Sequence, residues 1–429
     1  MRLTQSQVHS SMFWILAVLT ICNLNGVTQM LTGTSQIMSP LIFFSSIGCI
    51  ITCRGGFNQY LEGPGKWFFG FFFAYLGLGI LASFANDSKG LANGIAINLP
   101  TPFIVMAGAA CSWTFIRNNR KDELFSGLFL ISLVATLSIF FSKYLSRLFI
   151  IDYKVAYRAS GFFREPNEGG MMACLCLMLA FVMLRQSKNR KLMFVLIGVI
   201  YLACFLTFSK TAAVSLIFLT LGQLLIIRGL KAELQINIVL LGIVLAGACY
   251  WIVSYGLDLV DWNIGQRKRI MEVNALMTQG EISEETTTGR TIIWKYAFNL
   301  ILESPVIGWG LGTFSRMKGL GMGSHNTFLL ILGESGIGPI LLFLMFLSVM
   351  GATAIKCKDK LVRLFVLEFM LILMTASMSL HTILSRRFFT FFLGCCFGLL
   401  AGYRQIKQIQ QRQSSKIVNE PEPSAVTVT

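Results

Sequence analysis

Long apolar runs without charged residues recur along this chain, from Met12 to Tyr403, and they limit its fold more than any other feature. Charged residues make up only 13% of the sequence, about half of what a soluble domain carries, and they cluster between the runs. A helix crosses a bilayer core about 30 Å thick with about 20 apolar residues. Transmembrane β-barrels need alternating polar and apolar residues, which these runs lack. The sequence therefore predicts an all-α polytopic membrane protein.

The apolar runs predict about twelve transmembrane helices. The predicted spans are residues 11–31, 37–53, 66–84, 95–116, 124–142, 168–185, 190–208, 211–227, 234–254, 326–350, 361–381 and 387–404. The first run contains Asn23, Asn25 and Gly26 and lacks a small-residue cleavage site, so we interpret it as a retained span. Basic residues in the short loops favour a cytoplasmic location for both termini. Residues 1–404 form the predicted transmembrane domain, and residues 405–429 form a predicted disordered cytoplasmic tail.

The formal net charge of +16 does not indicate nucleic-acid binding, because the basic residues lie in short loops rather than on one compact face. The 11 cysteines lie in or beside apolar runs, and their spacing indicates neither a disulfide framework nor a metal site. Most basic residues on the predicted outer side fall in three segments, 143–167, 255–325 and 382–387. These segments are therefore candidates for function.

The longest polar segment, residues 255–325, predicts an extracytoplasmic loop with short helices lying on the membrane. From residue 288 to 302, apolar residues recur at helical spacing and Arg290 lies near the start. An amphipathic helix that merely rests on lipid has the same pattern. The glycines between Gly308 and Gly312 permit positive φ and a close backbone approach to a ligand, although plain flexibility is the favoured interpretation.

The most specific candidate site is the sequence Ser324-His325-Asn326-Thr327, where the tenth predicted span leaves the loop. An imidazole titrates near neutral pH, so His325 could accept a proton from a hydroxyl group. Glu334 follows nine residues later inside an apolar run, where an acid usually faces the protein interior and has a partner. We predict His325, Arg290 and Glu334 as catalytic residues and Asn326 as a substrate-binding residue.

Further polar residues at the predicted outer ends of spans indicate a binding site for a polyanion at headgroup depth. Each of them alone is also typical of an interface residue that extends its charge into water. The candidate residues for binding pyrophosphate or glycan are Arg158, Arg164, Asn167, Lys210 and Arg386.

The ordered set of motifs resembles the O-antigen ligase and polymerase superfamily of bacterial membrane glycosyl transferases. The motifs that carry the resemblance are Arg164-Glu165-Pro166-Asn167, Ser209-Lys210-Thr211, Gly289-Arg290 with Trp294, the segment from Ser304 to Gly310, and His325-Asn326-Thr327-Phe328 with Glu334-Ser335-Gly336-Ile337-Gly338. Each motif is loose, and their order and spacing together are more specific.

The resemblance implies a glycan donor on undecaprenyl pyrophosphate and transfer outside the bacterial inner membrane, without a cofactor or a required metal. It implies roles for Arg290 and His325 as the loop arginine and the loop-end histidine of the family. The family usually has arginine at the position of Lys210, and lysine keeps the charge but loses the bidentate fork. Implied partners are an acceptor glycan or lipid A core, membrane lipid, and a chain-length regulator and flippase of the same pathway.

Three functions remain open from the sequence. The favoured one is a polymerase of O-antigen or exopolysaccharide repeat units, and the second is a ligase that joins a finished chain to lipid A core or protein. The third is a transporter or flippase, although the two halves of the chain show no repeat and few acids lie inside spans.

Overall fold

The computed structural model describes residues 5–34, 38–53, 55–148, 159–226, 271, 290–315, 317, 322–380 and 383–418. All regular elements within these ranges are helices, as predicted for an all-α membrane protein. The helices of the first half are α1 (Gln5–Ile21), α2 (Leu24–Thr32), α3 (Met38–Thr52), α4 (Phe57–Tyr60), α5 (Pro64–Ala85), α6 (Leu91–Asn98), α7 (Pro100–Arg117), α8 (Lys121–Leu137), a 3₁₀ turn (Ser138–Phe141) and α9 (Ser142–Leu148).

From residue 166 onwards, the described ranges contain eight further helices and one 3₁₀ turn. They are α10 (Pro166–Gln186), α11 (Arg190–Leu206), α12 (Lys210–Ile226), α13 (Arg290–Glu303), α14 (Thr327–Ser335), α15 (Ile337–Lys356), α16 (Lys360–Ser377), a 3₁₀ turn (Ile383–Ser385) and α17 (Arg387–Val418). Each predicted span coincides with one or two of these helices, except the ninth, residues 234–254, which lies outside the described residues.

Fewer helices meet the requirements for crossing a membrane than the sequence analysis predicted. Within the described ranges, six helical segments are long and apolar enough, or seven if the bent pair α1–α2 counts as one span. Helix α11 has 17 residues between its caps at Asn189 and Thr207, so it is about 26 Å long at 1.5 Å per residue. This length falls short of a bilayer core of about 30 Å, and the predicted number of about twelve spans is not confirmed.

Within the described ranges, two predicted spans are interrupted at a residue with positive φ. The first bends by 54° between α1 and α2, where Asn23 adopts the left-handed conformation with φ 48°. The tenth breaks at Gly336, which has φ 77° and separates α14 from α15. A side chain at Gly336 would clash with the carbonyl oxygen of Val306, so the break brings the loop after α13 against the bundle.

Helices α7 and α17 pack with their backbones in close approach, which centres the bundle on this pair. A Cβ atom at Gly108 would lie 2.7 Å from the carbonyl oxygen of Phe391, and one at Gly394 or Gly398 would clash with the backbone of α7. Small residues permit this approach in membrane helices. The start of α17 is thereby fixed among α3, α7 and α10, where the candidate site lies.

Polar contacts join several loops at one end of the bundle, which we call the Asp359 end. Asp359 caps α16 by accepting from the amides of Leu361 and Val362, and its other oxygen accepts from Lys121 Nζ at 2.9 Å and from Tyr403 Oη at 2.6 Å. Arg404 pairs with Glu62 and Gln186 bonds to Asp122 at the same end. The predicted topology, with about twelve spans and both termini in the cytoplasm, would place this end on the cytoplasmic side.

Helix α17 continues to Val418, so it extends into the segment predicted as a disordered tail. Residues 405–418 are mostly Gln, Lys, Arg and Ile and contain neither glycine nor proline, a composition that supports a helix. The Pro-rich residues 419–429 lie outside the described residues.

Candidate functional site

Helix α13 places Arg290 in its first turn, as the apolar spacing predicted. Ile293, Ala297 and Ile301 form its buried face. Trp294 donates from Nε1 to the carbonyl oxygen of Ser324 at 3.1 Å, which ties α13 to the residue before His325.

The turn from Gly308 to Gly312 is a packed element and not a flexible one. Gly308, Gly310 and Gly312 all have positive φ, and an added Cβ atom at Gly308 would lie 2.6 Å from the backbone of Glu334 and Ser335. The amides of Trp309 and Gly310 donate to the carbonyl oxygens of Gly333 and Glu334 at 2.7 and 3.0 Å. These amides therefore bind α14, and the close approach that the glycines permit is to backbone.

Glu334 fastens this turn to the bundle. Its side chain is 1% exposed; Oε2 accepts from Tyr75 Oη of α5 at 2.7 Å, and Oε1 accepts from the amide of Phe314 at 3.3 Å. The carbonyl oxygen of Phe314 then accepts from the amide of Ser324 at 3.1 Å. A chain of hydrogen bonds thus runs from Tyr75 through Glu334 to the residue that precedes His325.

His325 lies between α13 and the start of α10 in a strained backbone conformation. Its φ of 47° is uncommon for a residue with a side chain, and such strain is concentrated at functional sites. Burial and the charge of Arg290 lower the pKa of His325, and the charge of Glu165 partly offsets this decrease. The imidazole is therefore neutral near pH 7, which is the form that can accept a proton.

Asn326 has a structural role that its sequence position did not reveal. Its side-chain oxygen accepts from the amides of Phe328 and Leu329 at 2.9 and 3.1 Å, which is the bonding pattern of a helix N-cap. The cap fixes where α14 begins and therefore fixes the residue before it, His325. This geometry favours a role for Asn326 in positioning His325 over a role in binding the substrate.

Acidic and basic side chains from α10 and α17 meet beside His325. Arg386 forms an ion pair with Glu168 through Nη1, and its Nη2 lies 3.8 Å from Glu165. Arg164 and Glu165 lie close enough to Glu168 for their charges to affect its ionisation. The charge of Glu165 also affects the ionisation of His325. We call the group of His325, Arg290, Arg164, Glu165, Glu168 and Arg386 the His325 end of the bundle. Helix α16 separates it from the Asp359 end by about 27 Å, the length of 18 residues.

The turn that carries Lys210 packs against the first turns of α10. A Cβ atom at Gly170 would lie 2.6 Å from that of Ala212 and 3.2 Å from that of Ser209. Lys210 is the first residue of α12, so it lies near the N-terminus of α10, where Pro166 and Asn167 are. The fold therefore brings Arg164, Asn167 and Lys210 to one end, whereas Arg158 lies outside the described residues.

A sequence family described as O-antigen ligase matches residues 195–347. The predicted resemblance is confirmed. The match indicates an O-antigen ligase-type function, which is a glycosyl transferase-like activity with glycan and lipid substrates. It covers less than half of the chain and includes Lys210, Arg290, His325, Asn326 and Glu334. In the comparison with curated proteins, none matched.

The other residues of the His325 end lie outside the matched range, and the fold brings them close to it. They are Arg164, Glu165, Glu168 and Arg386. Tyr75, Glu165 and Glu168 were not among the site residues predicted from the sequence. Glu165 and Glu168 had a signal in the sequence, because both lie in the charged segment that leads into α10. Tyr75 had none, because a tyrosine within an apolar run of α5 does not reveal a bond to a glutamate 259 residues later.

Proposed function

We propose that this protein transfers undecaprenyl-pyrophosphate-linked glycan on the extracytoplasmic face of the bacterial inner membrane, as a polymerase of surface polysaccharide. The observation that carries the proposal is the position of His325 within electrostatic reach of Arg290 and Glu165. A neutral imidazole beside a fixed cation suits a reaction in which a hydroxyl group loses a proton and a phosphate group gains charge.

In the proposed reaction, a hydroxyl oxygen of the acceptor sugar attacks the anomeric carbon of the donor glycan. A new glycosidic bond forms while the bond from that carbon to the pyrophosphate oxygen breaks. The pair of electrons from the broken bond leaves with undecaprenyl pyrophosphate. His325 accepts the hydroxyl proton, and Glu165 stabilises the imidazolium that results.

Binding of the pyrophosphate is assigned to Arg290, Arg164 and Lys210. Arginine side chains form bidentate hydrogen bonds with phosphate, and Arg164 is exposed where such a ligand could reach it. Arg386 is a weaker candidate for this role, because Glu168 and Glu165 already neutralise its charge. We therefore assign Arg386 to holding α17 against α10.

Glu334 acts in this proposal as a positioning residue. Its carboxylate oxygens are occupied by Tyr75 and by the backbone of the turn that includes Phe314, so it orients His325 through Ser324 and not by contact with the imidazole. A carboxylate that fixes a loop by several hydrogen bonds can support catalysis without exchanging a proton.

The test is the substitution His325→Ala in purified protein supplied with a lipid-linked repeat unit. Loss of a general base lowers the rate by about 10²–10⁴-fold. The matched control is His9→Gln, because His9 lies at the Asp359 end and bonds to Thr52 at 2.8 Å. Chain elongation at the wild-type rate in the His325→Ala protein would refute the proposal. A transporter would leave the repeat unit covalently unchanged in the wild-type assay.

The second candidate function is an O-antigen ligase, and the description of the matching family favours it. The two functions share the His325 end and differ in the acceptor. A deletion strain separates them by the products that accumulate: single repeat units on lipid A core indicate a polymerase, and long chains without attachment to the core indicate a ligase.

A further inference from the structure

Two consecutive arginines at the start of α17 have different surroundings. Arg386 is neutralised by Glu168 and Glu165. The Nη2 atom of Arg387 donates to Ser39 Oγ at 3.0 Å, and its Nη1 atom is buried without a hydrogen-bond partner. Among the residues that the structure describes, no acidic side chain lies within ion-pair distance of Arg387. No described carboxylate therefore neutralises its charge.

The surroundings of Arg387 are polar because the first predicted span is broken. Ser39 lies in the first turn of α3 and donates from Oγ to Asn25 Oδ1 of α2 at 3.0 Å. The break itself is held by Asn23, whose side-chain amide donates to the carbonyl oxygen of Phe162. Interrupted helices in membrane proteins are found where polar groups line a cavity or a ligand site.

The chemistry of these groups selects an oxyanion. A guanidinium remains charged, and its burial is costly unless an anion is bound to it. Arg387 is also the first residue of α17, and the unpaired amides at a helix N-terminus favour a negative group. Ser39 holds the same guanidinium in place, because its Oγ accepts from Nη2 of Arg387 and donates to Asn25. A phosphate group matches this combination of a fixed planar fork and a helix end.

The faces of α2 and α3 near Ser39 carry exposed apolar side chains. Leu41 and Phe44, which follow Ser39 on α3, are 49% and 67% exposed, and Leu31 on α2 is 38% exposed. Apolar side chains exposed on a membrane helix contact acyl chains, so the phosphate that reaches Arg387 belongs to a lipid.

We propose that Arg387 and Ser39 form a binding site for the phosphate group of a membrane lipid between α2, α3 and α17. The site lies next to the His325 end but uses none of the residues assigned there to proton transfer or to the pyrophosphate. It does not depend on the proposed transferase activity, because binding can be measured without turnover.

The experiment measures lipid retention by the full-length protein in a neutral detergent, with native mass spectrometry. The probes are phosphatidylglycerol and a diacylglycerol with the same acyl chains and no phosphate. We expect the wild type to retain phosphatidylglycerol preferentially, and Arg387→Gln to bind it about 10- to 100-fold more weakly. Arg387→Lys should bind it with intermediate strength, because lysine keeps the charge without the fork.

Arg404→Gln is the matched control, since Arg404 lies on the same helix at the Asp359 end and is half-exposed. A third probe, a polyprenyl pyrophosphate, distinguishes the source of the phosphate. If Arg387→Gln loses only that lipid, the site serves a lipid-linked substrate; if it also loses phosphatidylglycerol, the site binds bulk phospholipid.

Two results would overturn the proposal. In the first, the wild type retains phosphatidylglycerol and diacylglycerol equally and shows no preference for the polyprenyl pyrophosphate. In the second, Arg387→Gln retains every lipid as well as the wild type does. Thermal unfolding in the same detergent checks that each variant is folded. If Arg387→Gln does not fold, Arg387→Lys and Ser39→Ala carry the test, each with a severalfold loss of retention expected.

Discussion

The two ends of the bundle use charged residues in opposite ways. At the Asp359 end, the carboxylate of Asp359 accepts hydrogen bonds from Lys121, Tyr403 and the amides at the start of its own helix. Both of its oxygens therefore already have partners within the protein. At the His325 end, cations outnumber acids among the residues described, and the imidazole of His325 lies between charges of both signs. A saturated cluster holds helices together, whereas an excess of cations beside a neutral base can receive an anionic substrate.

The largest expected difference between the two ends is in the effect of removing an arginine. Arg290→Ala should lower kcat for glycan transfer by about 10²–10³-fold, the usual result of removing a group that stabilises transition-state charge. Arg404→Ala at the Asp359 end should leave kcat unchanged, because its partner Glu62 lies far from the histidine. Steady-state rates with lipid-linked repeat unit measure both. Equal losses in the two variants would abolish the distinction between the ends.

A second prediction concerns how Glu334 contributes at the His325 end. Glu334→Ala breaks the bonds to Tyr75 and Phe314, so kcat should fall by about 10- to 100-fold with little change in KM. Glu334→Gln can accept and donate at the same positions and should retain most of the activity. Tyr75→Phe removes one bond and should lie between them. If Glu334→Gln were as inactive as Glu334→Ala, Glu334 would be a proton-transfer group and the positioning role would be wrong.

The third prediction tests whether the Asp359 end is structural. Asp359→Ala removes a helix cap and an ion pair together, so the free energy of unfolding should fall by about 2–3 kcal/mol. The measurement is unfolding in mixed micelles with increasing denaturing detergent. The folded fraction should transfer glycan at the wild-type rate per molecule. A specific loss of kcat in folded protein would mean that this end also takes part in the reaction.

The smallest expected effect is a change in pH dependence. Because the pKa of His325 lies below its usual value, transfer should increase with pH on the acid side, with a midpoint below pH 6.5, and should become constant at higher pH. Glu165 raises this pKa, so Glu165→Gln should move the acid limb to lower pH. The pH profile of kcat/KM measures the shift. A shift to higher pH would contradict the placement of Glu165 beside the imidazole.

Much of the fold follows from hydropathy, and the exceptions have physical causes. The apolar runs predicted the long helices because burial in lipid requires a continuous helix, but they did not predict the short helices α4 and α9. They could not predict the breaks at Asn23 and Gly336, because each break depends on contacts with distant segments, Phe162 and Val306 respectively.

The candidate site was predictable where residue type and local spacing carry the chemistry. Arg290 and His325 were selected in this way, and the fold brings them within electrostatic reach of each other. The roles of Asn326 and Glu334 were not predictable. In a sequence, a polar residue that caps a helix or anchors a loop cannot be distinguished from one that binds a substrate. The difference between Arg386 and Arg387 depends on Glu168, which reaches only one of them.

The most direct test of the account is to determine which side of the membrane each end faces. Lys295→Cys on the exposed side of α13 and Lys358→Cys beside Asp359 would be introduced separately after Cys53, Cys249 and Cys357 have been replaced by serine. Intact spheroplasts are then treated with a maleimide that does not cross the membrane. The account predicts labelling at residue 295 from outside and at residue 358 only after the cells are opened. Labelling at residue 358 in intact cells, with residue 295 protected, would contradict it.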